Sequence, residues 1–118
     1  LFDLEASGYF YTRLQNPTND AVAAKIADLE GGVAAVLTSS GQAATFYSIF
    51  NIASCGDHIV ASSCIYGGSY NLFAVTMKRM GIEFTFINPD CTDEELNAAF
   101  KENTKAVFGE TISNPSLV

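Results

Sequence analysis

Basic residues are scarce in this sequence: 6 lysines and arginines stand against 13 aspartates and glutamates, a formal net charge of -7. An acidic chain repels a phosphate backbone, which argues against general nucleic-acid binding. Histidine occurs once, at His58, with no nucleophile or metal-ligand partner in view, so it reads as structural. Cys55, Cys64 and Cys91 are odd in number and lack metal-type spacing; neither a disulfide framework nor a cysteine-held metal is expected, and the three read as space-filling side chains. No apolar run is long enough to span a membrane, and no leader pattern is present. A reducing cytoplasm is therefore the expected compartment. Repeats and low-complexity segments are also missing, as is any block of like charge that would mark an interaction tail.

What is abundant is apolar surface. Hydrophobic residues make up 48% of the 118 and charged residues only 16%, a low share for a free-standing domain. The surface is expected to be partly covered, by more polypeptide or by another subunit. Leu1 is not an initiator, and both ends read as cuts within a longer chain.

Along the chain the apolar period alternates between helix and strand. Residues 1–16 are aromatic and polar without a period and read as extended. Asn16-Pro17-Thr18 is a turn into a helix capped by Thr18 or Asn19, with Val22, Ile26 and Leu29 on one face and Asp20 and Asp28 opposite; Gly31-Gly32 ends it. Val33 to Thr38 fits a buried strand. Ser39-Ser40-Gly41 is a tight turn before a helix from Gln42 to Ala53 that is apolar on nearly all sides, broken by Cys55-Gly56-Asp57. His58 to Ala61 is a second strand, and a polar loop carries Tyr66-Gly67-Gly68-Ser69. Phe73, Met77 and Met80 mark a helix ending at Gly81, and Glu83 to Ile87 is a third strand. Thr92 and Glu95 form a capping box for a helix with Leu96, Ala99 and Phe100 inside, and Ala106 to Gly109 is a fourth strand. This order predicts an α/β fold with a mostly parallel sheet, incomplete at four strands, with helices on its faces. Such sheets bind ligands at the carboxyl ends of their strands.

The loops at those ends hold the candidate residues. Ser40, Gly41 and Gln42 open the apolar helix, whose unpaired amides and dipole suit a phosphate; a plain N-cap accounts for the same residues. The segment is neither a Walker loop, for no lysine follows the glycine, nor a dinucleotide fingerprint. Tyr11 and Arg13 alternate in an extended segment and can face one phosphate together, or be an exposed arginine beside an aromatic anchor. Tyr66 can stack on a flat ring or pack on its own helix. Glu110 and Asn114 can hydrogen-bond a ligand, although asparagine before proline is also a common turn. Asp90, Asp93, Glu94 and Glu95 read as a solvated helix start that suits the dipole.

In order, these segments are Tyr-x-Arg-x-x-Asn-Pro-Thr at 11–18, Leu-Glu-Gly-Gly at 29–32, Ser-Gly-Gln-Ala-Ala at 40–44, Tyr-Gly-Gly-Ser at 66–69 and Glu-x-x-x-Asn-Pro at 110–115. The set resembles the Cys/Met-metabolism family of pyridoxal-phosphate enzymes over essentially the whole chain, most closely its O-acetylhomoserine sulfhydrylase branch. The resemblance implies the first half of an aspartate-aminotransferase-like large domain from residue 17 to 118, preceded by a segment, 1–16, that touches a neighbouring subunit. It also implies pyridoxal 5'-phosphate as cofactor, a small amino-acid substrate, and a homotetramer built as a dimer of dimers with shared active sites. Gly41 and Gln42, next to Ser40, would hold the cofactor phosphate through their amides. Tyr66 would stack on the pyridine ring and help position substrate. Tyr11 and Arg13 would reach the neighbouring subunit's cofactor phosphate, and Asn114 would lie near the ring hydroxyl with Glu110 close by.

The implied reaction replaces the γ substituent of a homoserine ester with sulfide or a thiol. Methionine γ-lyase, cystathionine γ-synthase or lyase, and a non-catalytic α/β binding or assembly module are the alternatives. The family's cofactor-linking lysine is expected beyond Val118. Lys25, Lys78, Lys101 and Lys105 do not match its position, so residues 1–118 alone are expected to be inactive and to hold the cofactor weakly.

Overall fold

A computed structural model describes residues 6–13 and 15–117; of the expected extended segment, residues 1–5 and 14 lie outside these. The chain forms two compact units, Leu1–Ser39 and Ser40–Val118.

The first unit is built on helix α1, Pro17–Glu30. Its N-cap is Asn16, not Thr18 or Asn19: the Asn16 side chain accepts the amides of Thr18 at 2.9 Å and Asn19 at 3.2 Å. Proline explains the shift. Pro17 has no N–H to satisfy and a φ already suited to the first helical position, so the cap falls one residue before it. The helix stops at Gly31, whose φ of 68° is left-handed, and the amide of Gly32 returns to the carbonyl of Ala27 at 2.8 Å. Upstream, Arg13 is not in extended chain: Thr12 and Arg13 form a turn in which the Gln15 amide donates to the Tyr11 carbonyl at 2.9 Å. The Tyr9 hydroxyl hydrogen-bonds Asp20, which raises the phenol's pKa above its usual value.

Val33 to Thr38 is not a strand. Val33 and Val36 are 107% and 86% exposed. A strand needs a ladder partner, and an apolar composition cannot supply one.

The second unit holds a three-stranded parallel sheet in the order β2-β1-β3, with β1 at His58–Ser62, β2 at Glu83–Ile87 and β3 at Thr104–Phe108. The helices are α2 (Gly41–Phe50), α3 (Gly67–Asn71) running directly into a π-helical stretch (Leu72–Met77), and α4 (Asp93–Ala99). The expected capping box of α4 is present: Thr92 accepts the Glu95 amide at 3.2 Å, and Glu95 accepts the Thr92 amide at 2.9 Å. The expected polar loop at Gly67 to Ser69 is instead the first turn of α3.

Central β1 is buried from His58 to Ala61. Ile59 and Ala61 stand in register with Phe84 and Phe86 on one side and with Ala106 and Phe108 on the other, so all six face the same layer. Ile49 and Ala53 from the α2 region and Phe73 and Met77 from the π-helical stretch cover that layer. Phe73 is fully buried, stacked 4.5 Å from Phe84 and edge-on 4.9 Å from Phe108. Full burial of such a side chain stabilises by about 1.5–3 kcal/mol. Helix α2 is apolar all round, as its sequence shows, but it is not buried all round: Ile49 is covered while Tyr47 and Phe50 are exposed.

His58 is the buried polar residue of the opposite layer, 0% exposed. Its ring bridges both neighbouring strands, with Nδ1 2.6 Å from Thr104 Oγ1 and Nε2 2.7 Å from Thr85 Oγ1. The register slips by one residue at Lys105, which brings Thr104 onto the face of His58. Burial first, and the Lys101 cation second, lower the imidazole pKa, with Glu83 opposing. The folded state therefore binds this proton less readily than the unfolded chain. The stability from the neutral ring is complete above the ordinary imidazole value of about 6.5 and is lost as pH falls from there toward the depressed folded value. The thermal midpoint of the protein should drop between roughly pH 7.5 and 5.5, where carboxylates do not titrate, and His58→Gln should flatten that slope. An equally steep slope in the variant would contradict this account of His58.

Candidate functional site

The start of α2 is set by Ser40. Its extended backbone leads into the helix and its Oγ accepts the Ala43 amide at 3.0 Å, while its carbonyl accepts the Ala44 amide at 3.1 Å. Two first-turn donors are thereby used. The amides of Gly41 and Gln42 engage no acceptor among the described residues, Gly41 is exposed, and a Cβ built on it would meet nothing within 4 Å. Gly41 and Gln42 are both exposed, so two N–H groups at the positive end of the helix dipole are left without a protein acceptor, an arrangement that suits an anion.

Tyr66 leaves the carboxyl end of β1 and is the N-cap residue of α3. The residue is 47% exposed. A Cβ on Gly68 would lie 2.5 Å from Tyr66 Cε1 and 2.9 Å from Gln42 Nε2. The tyrosine ring and the glutamine side chain therefore converge on one point, and only glycine at 68 leaves them room. The ring does rest on its own helix, and its remaining surface is open. Ser69, only 4% exposed, donates from Oγ to Gln42 Oε1 at 3.4 Å, a long contact that orients the amide.

From the carboxyl end of β3, Glu110 reaches across: its Oε1 accepts the main-chain amide of Tyr66 at 3.0 Å. The first crossover steps from β1 to β2, and the second steps back past β1 to β3, so the strand order reverses there. Crevices at such reversals are the usual ligand positions of open parallel sheets. Ser40, Gly41, Gln42, Tyr66 and Glu110 are thus gathered in one place. Asn114 is exposed in the turn beyond Glu110 and makes no hydrogen bond to these residues. Tyr11 and Arg13 belong to the first unit and pair with each other, the guanidinium lying 5.2 Å from the tyrosine ring centroid. Gly68 and Ser69 were not singled out as site residues by the sequence reading; the glycine pair directly after Tyr66 was the available signal.

A model of the Cys/Met metabolism PLP-dependent enzyme family matches residues 1–118. The chain belongs to this family. It is 54% identical over 115 residues to the O-acetyl-L-homoserine sulfhydrylase of Corynebacterium glutamicum, covering 97% of this chain and 26% of that protein. It is 51% identical over 115 residues to the homocysteine/cysteine synthase of Saccharomyces cerevisiae, covering 98% of this chain and 26% of that one. A Campylobacter jejuni structure described as an O-acetylhomoserine (thiol)-lyase, carrying N'-pyridoxyl-lysine-5'-monophosphate, superposes with a TM-score of 0.86 at 40% identity over 99% of this chain and 29% of that one. The chain therefore spans about a quarter of the length of the curated relatives it matches. The similarity places the fold within the large domain of these PLP-dependent enzymes. No helix among the described residues is long and apolar enough to cross a membrane.

The residues present fit pyridoxal phosphate: exposed main-chain amides without a protein acceptor for an anion, and a half-exposed tyrosine near them for a flat heterocycle. Gly68→Ala tests the convergence of Tyr66 and Gln42. A helical Gly→Ala change gains up to about 1 kcal/mol of propensity, and the two obstructing groups are movable side-chain ends, so stability should change by less than about 1 kcal/mol. The added methyl displaces both side chains, and kcat/KM of the full-length enzyme should fall about tenfold. Unchanged kcat/KM would show that their arrangement is not critical.

Proposed function

We propose that this chain supplies the front half of the cofactor site of an enzyme that replaces the acetyl ester of O-acetylhomoserine with sulfide or a thiol, giving homocysteine or methionine and acetate. The supporting observation is the pair of exposed amides at Gly41 and Gln42 that find no acceptor among the described residues, with the Gln42 side chain converging on the Tyr66 ring, in a chain about half identical to O-acetylhomoserine sulfhydrylases and homocysteine synthases. Bound pyridoxal phosphate supplies an electron sink for carbanions formed on the amino acid. The Gly41 and Gln42 amides hold its phosphate, aided by the dipole of α2. Tyr66 would stack on the ring and help position substrate, and Asn114 would serve the ring hydroxyl.

In this reading residues 17–118 are the first part of the large domain, and residues 1–16 reach a neighbouring copy. Tyr11 and Arg13 would contact that copy's cofactor phosphate, the arginine fork suiting an anion. Two chains then complete each site, which accords with a dimer of dimers.

The test is an assay of the full-length protein with O-acetylhomoserine plus sulfide, set against methionine alone. Homocysteine and acetate should form in the first reaction, with little breakdown of methionine in the second. Rapid elimination from methionine, with no sulfide-dependent product from the ester, would overturn the proposal in favour of a γ-lyase.

A further inference from the structure

Tyr66 caps α3 with φ -51° and ψ 135°, and its own side chain makes no capping hydrogen bond. A tyrosine has no short acceptor with which to close its own helix start. The restraint comes from elsewhere in the chain. Glu110 Oε1, 44 residues away, accepts the Tyr66 amide at 3.0 Å. The bond joins the segments that leave two neighbouring strands, β1 and β3. Tyr66 N–H is the atom nearest the pivot of the ring, since the Cα–Cβ bond starts one atom further on. Beyond it the ring meets Gly68 and is otherwise half open.

From this geometry we propose that Glu110 is a positioning residue: it acts through the main chain of Tyr66 and is not a ligand of the cofactor. The inference rests on the reading of Tyr66 as the residue against the cofactor ring. The carboxylate holds the start of α3, and thereby the plane in which the Tyr66 ring is presented above Gly68. A group that bound the cofactor itself would lose its effect independently of Tyr66; a group that aims Tyr66 loses its effect once the ring is gone.

The experiment uses the full-length enzyme and four forms: Glu110→Ala, Glu110→Gln, Tyr66→Ala and the Glu110→Ala/Tyr66→Ala pair. In the cofactor-free protein, Glu110→Ala should speed hydrogen exchange at the Tyr66 amide by about tenfold or more, because its acceptor is removed. Glu110→Gln keeps an acceptor oxygen and should restore most of the protection. In the loaded enzyme Glu110→Ala should lower kcat by about tenfold with a smaller change in KM, and should alter the visible circular dichroism of the bound cofactor. On a Tyr66→Ala background the same change should cost less than about threefold. Equal losses on both backgrounds, or unchanged exchange at Tyr66, would overturn the positioning role. Should Tyr66→Ala itself leave both the dichroism and kcat unchanged, the site reading fails, and with it the positioning role, while the exchange data still report separately whether the Glu110 bond exists.

Discussion

The candidate site depends on the burial of β1, from His58 to Ala61, between two parallel neighbours. Ile59 and Ala61 lock the strand into one layer with Phe84, Phe86, Ala106 and Phe108, and His58 ties its start to both flanking strands. Every amide and carbonyl of such a strand is committed to the ladders, so its carboxyl end has a defined position. Tyr66 follows that end by four residues, and Glu110 follows the end of β3 by two. The shared edge of the sheet is therefore what brings chemistry from distant parts of the chain together.

On that edge the division of labour is between main chain and side chain. Main-chain amides at the head of α2 form the proposed anion seat, which contains no titratable group. Side chains then set shape: Ser40 spends its hydroxyl on the Ala43 amide and leaves Gly41 and Gln42 free, while Gly68 lets the Tyr66 ring and the Gln42 amide share one small space. The exposed apolar residues of α2 and of the 33–37 segment match the low charged fraction of the sequence, as expected of surface that more polypeptide or another subunit covers.

Features set by local chemistry were legible in the sequence. The Thr92–Glu95 capping box, the left-handed stop at Gly31 and the strand at 83–87 all follow from residues within a few positions of each other. Features set by partners were less so. Val33 to Thr38 has strand composition but forms no strand among the described residues. The π-helical stretch and the slip at Lys105 have no periodic signature. Gly67-Gly68 reads as loop from composition, yet both lie in the first turn of α3, whose N-cap amide at Tyr66 is bonded from outside by Glu110. The site residues were legible mainly as an ordered set of short motifs. The main-chain role of Glu110 was not, since the sequence cannot show which atom a carboxylate will meet 44 residues away.

The central claim, that the free amides heading α2 grip the cofactor phosphate, is open to a nearly surgical substitution. Proline is accepted at the first position of a helix, and Ser40 already has the extended backbone, with φ -162° and ψ 162°, that a following proline requires. Gly41→Pro thus deletes one N–H while keeping the helix. Pyridoxal-phosphate affinity of the full-length enzyme should fall about tenfold or more, with the thermal midpoint of the cofactor-free protein little changed. Wild-type affinity in a folded Gly41→Pro protein would contradict the account.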